Sequence, residues 1–306
     1  MTQRAAAKVS IVMPCYNGRS HLPASIASLQ SQTFTEWELV LVDDGSTDGS
    51  AAWAEQLGDA RINILRQPNR GVSLARNHGL QRSRGELVAF LDADDTWDSD
   101  FLATMVAALE SNPGAALAYC GWQNVGLPGP AGAPFVPPDY EGPNKEIELF
   151  TGCRWPIHAA LTRRSLLAAG FEVDLSHAED YLLWLELGAH HPLCRVPRVL
   201  AHYHFHDGPQ ASRQHLRATL QLFEAQARYL ARHPEFVART GAGTLREIML
   251  TGLRRRAFER YWARDLDTAR PLFRKLMRER HRTARDWLYM LPSLLPARVH
   301  RWLLGQ

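Results

Sequence analysis

Over the first 120 residues, short and nearly unbroken apolar runs alternate with stretches whose apolar positions recur every three or four residues. VSIVMP, ELVLVD, INIL, ELVAFLD and ALAYCG read as strands. Between them the spacing predicts a helix with Leu22, Ile26 and Leu29 on one face, then helices near 50–57, from about 72 to 83, and near 100–111. Strands that read as continuous apolar runs, rather than as alternating ones, are covered on both faces. The expected architecture is therefore α/β, with a doubly wound, mainly parallel sheet flanked by helices.

The pattern changes downstream. GLPGPAGAPFVPPDYEGP (126–143) is too rich in Gly and Pro for a helix or a central strand, and is either a mobile loop over a site or a plain surface connection. EDYLLWLEL from 179 reads as a helix, and LCRVPRVLAHYHFH as one or two extended segments. From about 212 everything reads as helical. One stripe holds Leu216, Leu220, Phe223, Ala227 and Leu230, and a second Leu245, Ile248, Met249, Gly252, Leu253 and Tyr261. There is no internal repeat. A chain of 306 residues suits one α/β domain over 1–210 and a helical C-terminal extension over 211–306.

Charge sharpens that division. Residues 210–306 hold 20 of the 35 Lys+Arg and 8 of the 32 Asp+Glu, a net of +12, which leaves 15 against 24, a net of −9, for 1–209. The two parts are expected to meet different partners. No apolar run approaches the roughly 18 to 20 residues of a membrane span, and MTQRAAAKVS has no signal-peptide core, so the chain is expected in the cytosol. Cys15, Cys120, Cys153 and Cys194 are widely spaced without a C-x-x-C pair and read as reduced thiols.

In a doubly wound sheet, ligands bind beyond the carboxyl ends of the strands. The residues there are polar: Tyr16-Asn17, Asp43-Asp44 and Asp92-Ala93-Asp94-Asp95. Neither a phosphate-cradling G-x-x-x-x-G-K-[ST] or G-x-G-x-x-G element nor a G-x-S-x-G nucleophile elbow is present, which argues against P-loop, dinucleotide-binding and α/β-hydrolase readings. Carboxylates as close as Asp92, Asp94 and Asp95 repel unless a cation or hydrogen-bond donors neutralise them, and oxygen ligands suit Mg²⁺ or Mn²⁺ gripping a diphosphate. An EF-hand counted from Asp92 is excluded, since Trp97 stands at the glycine position and Ala103 at the bidentate glutamate; helix capping in a solvated turn is the alternative. Asp44 and its neighbours offer acceptors to a nucleoside, and Tyr16 an aromatic face for its base. Arg76 offers a fork of donors to phosphate, or a surface salt bridge to Glu86 or a neighbour. Ser176 to Glu179 has capping-box spacing, which gives Glu179 a structural task. Asp180 is then the candidate general base, kept ionised by the helix dipole. His202, His204 and His206 alternate, so on a strand they share a face; either one of them completes a metal shell or all three are structural.

VSIVMPCYNG, SLQSQTFTEWELVLVDDGSTDGS, LARNHGLQRSRGELVAFLDADD and AEDYLLWLEL, in this order over roughly 8–210, resemble the family 2 glycosyltransferases of bacterial polysaccharide and cell-envelope synthesis. The resemblance implies the Rossmann-like GT-A fold, with a nucleotide-sugar site mainly in 8–120 and an acceptor side mainly in 121–210. It implies that Pro14, Tyr16 and Asp44 hold the base, that Asp92 serves the ribose or the metal region, and that Asp94 and His206 ligate Mn²⁺ or Mg²⁺. Asp180 becomes the base of an inverting transfer from a nucleoside-diphosphate sugar to a saccharide or lipid-linked acceptor. His204 departs from the family, which often carries Arg there.

The alternatives are a sugar-phosphate nucleotidyltransferase, for which CYNGRSHL supplies only one Gly and Arg19, and an inactive binding or scaffold subunit. Trp287, Leu288, Leu291, Val299, Trp302 and Leu303 in the basic stretch 270–306 suit a peripheral site on the anionic inner face of the plasma membrane. Packing on the catalytic sheet or on a second copy of the chain is the other reading. No nucleic-acid motif appears.

Overall fold

The computed structural model describes residues 7–208 and 213–303; the side chains of Trp302 and Leu303, and residues 304–306 of the basic stretch, lie outside the described residues. The chain divides into two compact units, Met1–Gly208 and Pro209–Gln306. Among the described residues no helix is long and apolar enough to cross a membrane, and all four cysteines are free.

In the first unit the strands are β1 (Val9–Cys15), β2 (Trp37–Asp43), β3 (Ile62–Arg66), β4 (Leu87–Phe90), β5 (Thr96–Trp97), β6 (Leu117–Val125), β7 (Ala160–Arg163) and β8 (Leu193–His204). They form one sheet in the order β3-β2-β1-β4-β7-β6-β8-β5. The helices are α1 (Leu22–Gln30), α2 (Ser50–Glu55), α3 (Val72–Arg82), α4 (Phe101–Ser111), α5 (Lys145–Thr151) and α6 (Glu179–His190). β1, β2 and β4 are buried along almost their whole length, as unbroken apolar runs require. Parallel pairing of β3, β2, β1 and β4 brings the ends of all four to one edge.

The second half of the sheet is mixed. β7, a four-residue strand absent from the sequence reading, is inserted antiparallel between β4 and β6, so β6 keeps the direction of β4. β5 pairs antiparallel with β8, Thr96 facing His202. Opposite Cys120 and Gly121, β8 skips from Val196 to Val199, a bulge that accommodates Pro197 within the strand. Residues 126–143 contain neither an α-helix nor a central strand, and they are tied to β6. Gln123 Nε2 donates to Gly132 O (2.9 Å), Asn124 Nδ2 to Ala131 O (2.8 Å) and Tyr119 Oη to Pro138 O (2.9 Å), which makes this segment a fastened surface connection.

α3 lies close on the sheet because Gly79 faces it: a Cβ there would stand 2.5 Å from Val12 Cγ1 and 3.2 Å from Val42 Cγ2. The close approach places Arg76, one turn earlier on the helix, beneath the strand ends.

The second unit consists of α7 (His215–Arg232), α8 (Pro234–Thr240), α9 (Ala242–Trp262), α10 (Leu266–Arg278), α11 (Trp287–Met290) and α12 (Ala297–Leu303). Leu250, Leu253, Ala257 and Tyr261 of α9 pack with Leu266, Ala269, Leu272, Phe273 and Leu276 of α10, and Leu216, Leu220 and Phe223 lean on this core. The first stripe is corrected in its second half: Ala227 is exposed, and Ala225 and Tyr229 are the buried apolar positions.

Candidate active site

The loops after β1 and β2 are sewn together by Asn17, which adopts the left-handed conformation (φ 52°). Its N–H donates to Ser46 Oγ (2.9 Å), and its Oδ1 accepts the Thr47 N–H (2.8 Å). Asp44 is buried just past β2. One of its oxygens accepts from Gln67 Nε2 (2.7 Å) and the Arg70 N–H (2.9 Å), the other from the Gly71 N–H (2.8 Å). Gly71 reaches this position at φ 90°, where a side chain would be strained. A carboxylate has about four lone-pair positions, and these three bonds leave one for a ligand N–H. Pro14 is half-buried at the penultimate position of β1, and Tyr16, 56% exposed, stands at the rim beyond it.

The acidic turn after β4 is closed by the Asp95 N–H on Asp92 O (3.1 Å), and its three carboxylates have different fates. Asp95 is fully buried, paired with His158 Nδ1 at 3.0 Å and accepting the His204 N–H at 3.0 Å. Burial pushes the Asp95 carboxyl up to about 6; burial also opposes charge on His158, but Asp95 beside it raises the imidazole overall. Asp95 therefore braces the turn. Asp92 Oδ1 is bound by Arg76 Nη2 at 2.8 Å, and Arg76 Nη1 binds Glu179 Oε1 at 2.6 Å. Asp94 remains partly open, with Oδ2 3.2 Å from His206 Nε2.

Two expectations are corrected here. Arg76 is 3% exposed and committed to two carboxylates, neither of them Glu86, so it presents no fork to a phosphate. It links the acidic turn to the start of α6. The capping box does not form either. Ala178 occupies the N-cap in the left-handed region (φ 61°), the Ser176 hydroxyl pairs with His177 Nδ1 (3.0 Å), and Glu179 turns to Arg76.

Sequence gave no sign of the Arg76–Glu179 pair, whose partners are 103 residues apart. Replacing Arg76 by Met leaves two charges without their partner and is expected to cost about 3 kcal/mol, the low end for a broken buried pair because Asp92 retains some solvent. Urea unfolding of the variant measures this; an unchanged midpoint contradicts it.

The three histidines are not equivalent. His202 Nε2 pairs with Asp98 Oδ1 (2.8 Å) and His204 Nε2 with Thr96 Oγ1 (2.8 Å), both bracing β5 against β8. Burial lowers the His204 pKa. β8 ends at His204, so His206 leaves the ladder and turns to Asp94. Its ring stacks on His21 with centroids 4.0 Å apart, and its Nδ1 accepts the Gly208 N–H (3.1 Å).

Asp180, in the first turn of α6, accepts its own helix's Tyr181 N–H (2.8 Å). Tyr181 Oη in turn donates to Phe150 O (2.6 Å), which fixes α6 to α5. Burial and then the charge of Glu179 push the Asp180 carboxyl up to about 6, against the pull of Arg76. The dipole expected to favour its ionised form is outweighed.

Two ligands at about 2.1 Å in neighbouring octahedral positions stand about 3 Å apart. The 3.2 Å between Asp94 Oδ2 and His206 Nε2 fits such a pair; ligation through Nε2 would require the ring proton on Nδ1, and so the loss of the bond from the Gly208 N–H.

The family model for Glycosyl transferase family 2 matches residues 10–146, the stretch that carries β1 to β4 and the acidic turn. Among curated proteins the chain is similar to the Escherichia coli UDP-Glc:alpha-D-GlcNAc-diphosphoundecaprenol beta-1,3-glucosyltransferase WfgD, 33% identical over 58% of this chain and 69% of that protein. It spans 38%, 34% and 53% of the length of three further curated relatives. Among solved structures, Staphylococcus aureus TarS 1–349 in complex with UDP-GlcNAc shares the fold at a TM-score of 0.60 and 19% identity, over 82% of this chain and 80% of that one. The mannosyltransferase PcManGT from Pyrobaculum calidifontis, in complex with GDP-Man and Mn²⁺, does so at 0.56 and 20%, over 81% and 74%. The family-model match, the relative covered over more than two thirds of its length and the shared sheet architecture agree: this chain belongs to glycosyltransferase family 2 and has the GT-A fold.

Proposed function

We propose that the chain is an inverting, divalent-metal-dependent transferase that moves a sugar from a nucleoside-diphosphate sugar, UDP-sugars favoured, to a hydroxyl of a saccharide or lipid-linked acceptor. The observation that carries this reading is the pairing of Asp94 with His206 at the sheet edge, beside an Asp92 that Arg76 ties to the start of α6. Residues 8–120 mainly hold the donor and 121–210 mainly the acceptor, with 211–306 a separate Arg-rich unit. UDP-GlcNAc and GDP-Man in the TarS and PcManGT structures, and the lipid diphosphate in the name of WfgD, support the donor and acceptor classes. A lipid-linked acceptor implies work at the inner face of the plasma membrane, as a peripheral protein.

In this reading Tyr16 offers its ring to the base, Pro14 shapes the floor, and the open acceptor position of Asp44 takes a base N–H. Asp92 faces the ribose or the outer shell of the ion. Asp94 and His206 hold Mn²⁺ or Mg²⁺; the nitrogen ligand favours Mn²⁺. When bound, the ion supplies positive charge to the departing diphosphate. Asp180 takes the proton from the acceptor hydroxyl as that oxygen attacks the anomeric carbon from the face opposite the leaving group. The bond from that carbon to the diphosphate oxygen breaks, the nucleoside diphosphate departs, and the configuration inverts.

A screen of UDP-, dTDP- and GDP-sugars by thermal unfolding with MnCl₂ tests the donor class. A UDP-sugar at 100 times its Kd is expected to stabilise the fold by about 2.7 kcal/mol. The reading fails if no nucleotide-sugar shifts the midpoint.

A further inference from the structure

We propose that the second unit carries a docking surface for an anionic lipid bilayer, built on Leu288, Leu291 and Leu294, with the unpaired Arg285 one turn ahead of them. α11 runs directly into a 3₁₀ turn over Leu291–Leu294. Residues three apart share a face in an α-helix and eclipse in a 3₁₀ turn, so the three leucines stand in one line. They are 71%, 49% and 57% exposed. On the opposite face Met290 and Ser293 are fully buried, Met290 within the core of the unit.

Six of the nine large apolar side chains exposed on the described chain belong to this region: the three leucines with Leu295, Val299 and Trp262. Scattered apolar residues need no explanation, but a concentration of them does. Trp262, which the sequence reading did not single out, ends α9 with its ring 5.3 Å from that of Tyr289 in α11. Trp287, which it did, is half-buried beneath the Arg282 guanidinium at 4.4 Å. The platform is fixed from below: Arg270 Nη2 donates to Leu295 O (2.6 Å) and Arg274 Nε to Ser293 O (2.9 Å).

Charge decides the occupant. Among the described residues Arg280, Arg285 and Arg298 are exposed and form no ion pair, and Arg285 sits one turn ahead of Leu288. The one acid within 280–301, Asp286, is buried and bound to Arg254 at 2.6 Å, so no carboxylate answers these arginines. A second copy of the chain meeting this surface with the same surface would bring like charges together. An anionic headgroup layer complements them, while the leucines enter the acyl boundary and Trp262 meets the interface, where aromatic rings favour the boundary between water and hydrocarbon. Eight residues of helix and turn lie on a bilayer and do not cross it.

The test is flotation of the full chain with vesicles of phosphatidylcholine alone or mixed with phosphatidylglycerol, beside two variants: Leu288→Gln/Leu291→Gln/Leu294→Gln and Arg285→Gln/Arg298→Gln. The wild type is expected to float with the anionic vesicles only. The leucine variant should bind at least about tenfold more weakly, and the arginine variant more weakly with less salt dependence. Equal flotation of wild type and leucine variant overturns the proposal, as does a wild type that does not float. So does light scattering that shows a dimer which the leucine substitutions convert to monomer. Both variants should unfold at the wild-type midpoint and bind donor as the wild type does, so a failure here leaves the transferase reading standing.

Discussion

Asp180→Asn is expected to lower the transfer rate about 10²- to 10⁴-fold, the usual contribution of a positioned general base, while leaving donor binding intact. Asparagine keeps the size of the side chain and an oxygen for the Tyr181 N–H, but it cannot take a proton. Burial and Glu179 raise the Asp180 carboxyl to about 6, so its charged form is held at a cost to the fold. A carboxyl whose folded pKa lies above its unfolded value stabilises the fold while protonated, and that stabilisation is lost as pH rises from about 4 through about 6. At neutral pH the Asn variant should therefore unfold at a higher temperature than the wild type. Loss of turnover with gain of stability separates a catalytic role from a structural one. A variant within tenfold of wild-type turnover contradicts the assignment.

The same shift fixes the pH dependence. The base must be ionised, so kcat/KM of the wild type should rise with pH through about 6 and level off above it, falling about tenfold per unit on the acid side. A base near 6 also takes up a proton more readily than an ordinary carboxylate.

Much of the first half of the sheet was legible because its determinants are local. The runs VSIVMP, ELVLVD and ELVAFL read as strands covered on both faces, and the polar residues that follow each strand fall at one edge once those strands are parallel. The inequality of the carboxylates was legible only in part. Asp95 stands in one acidic run with Asp92 and Asp94, but His158, the partner that makes it a brace, lies in a stretch without periodicity. β7 escaped notice because ALTR is four residues long and has no turn signal of its own. The capping box at Ser176 matched in spacing and failed in structure. A single residue in the left-handed region at Ala178 moves the helix start, and Arg76 offers Glu179 a stronger partner than a backbone N–H. His202, His204 and His206 looked alike because alternation alone does not show where a strand stops. It stops at His204.

The account rests on Asp94 as the carboxylate that, with His206, holds the divalent ion. Alone in its turn it is neither buried against a histidine, as Asp95 is, nor tied to a guanidinium, as Asp92 is. Removing it takes away a metal ligand while leaving both braces in place, so Asp94→Ala should fold normally and lose Mn²⁺-supported chemistry. A metal ion contributes several kcal/mol of charge stabilisation to a departing group, which sets the expected loss at about 10² to 10³ in rate. The direct measurement is release of nucleoside diphosphate from a UDP-sugar, titrated with Mn²⁺ from a chelator-treated start, for wild type and Asp94→Ala side by side. The account predicts saturable activation of the wild type and none of the variant; equal activation of the two, or wild-type turnover indifferent to the chelator, would contradict it.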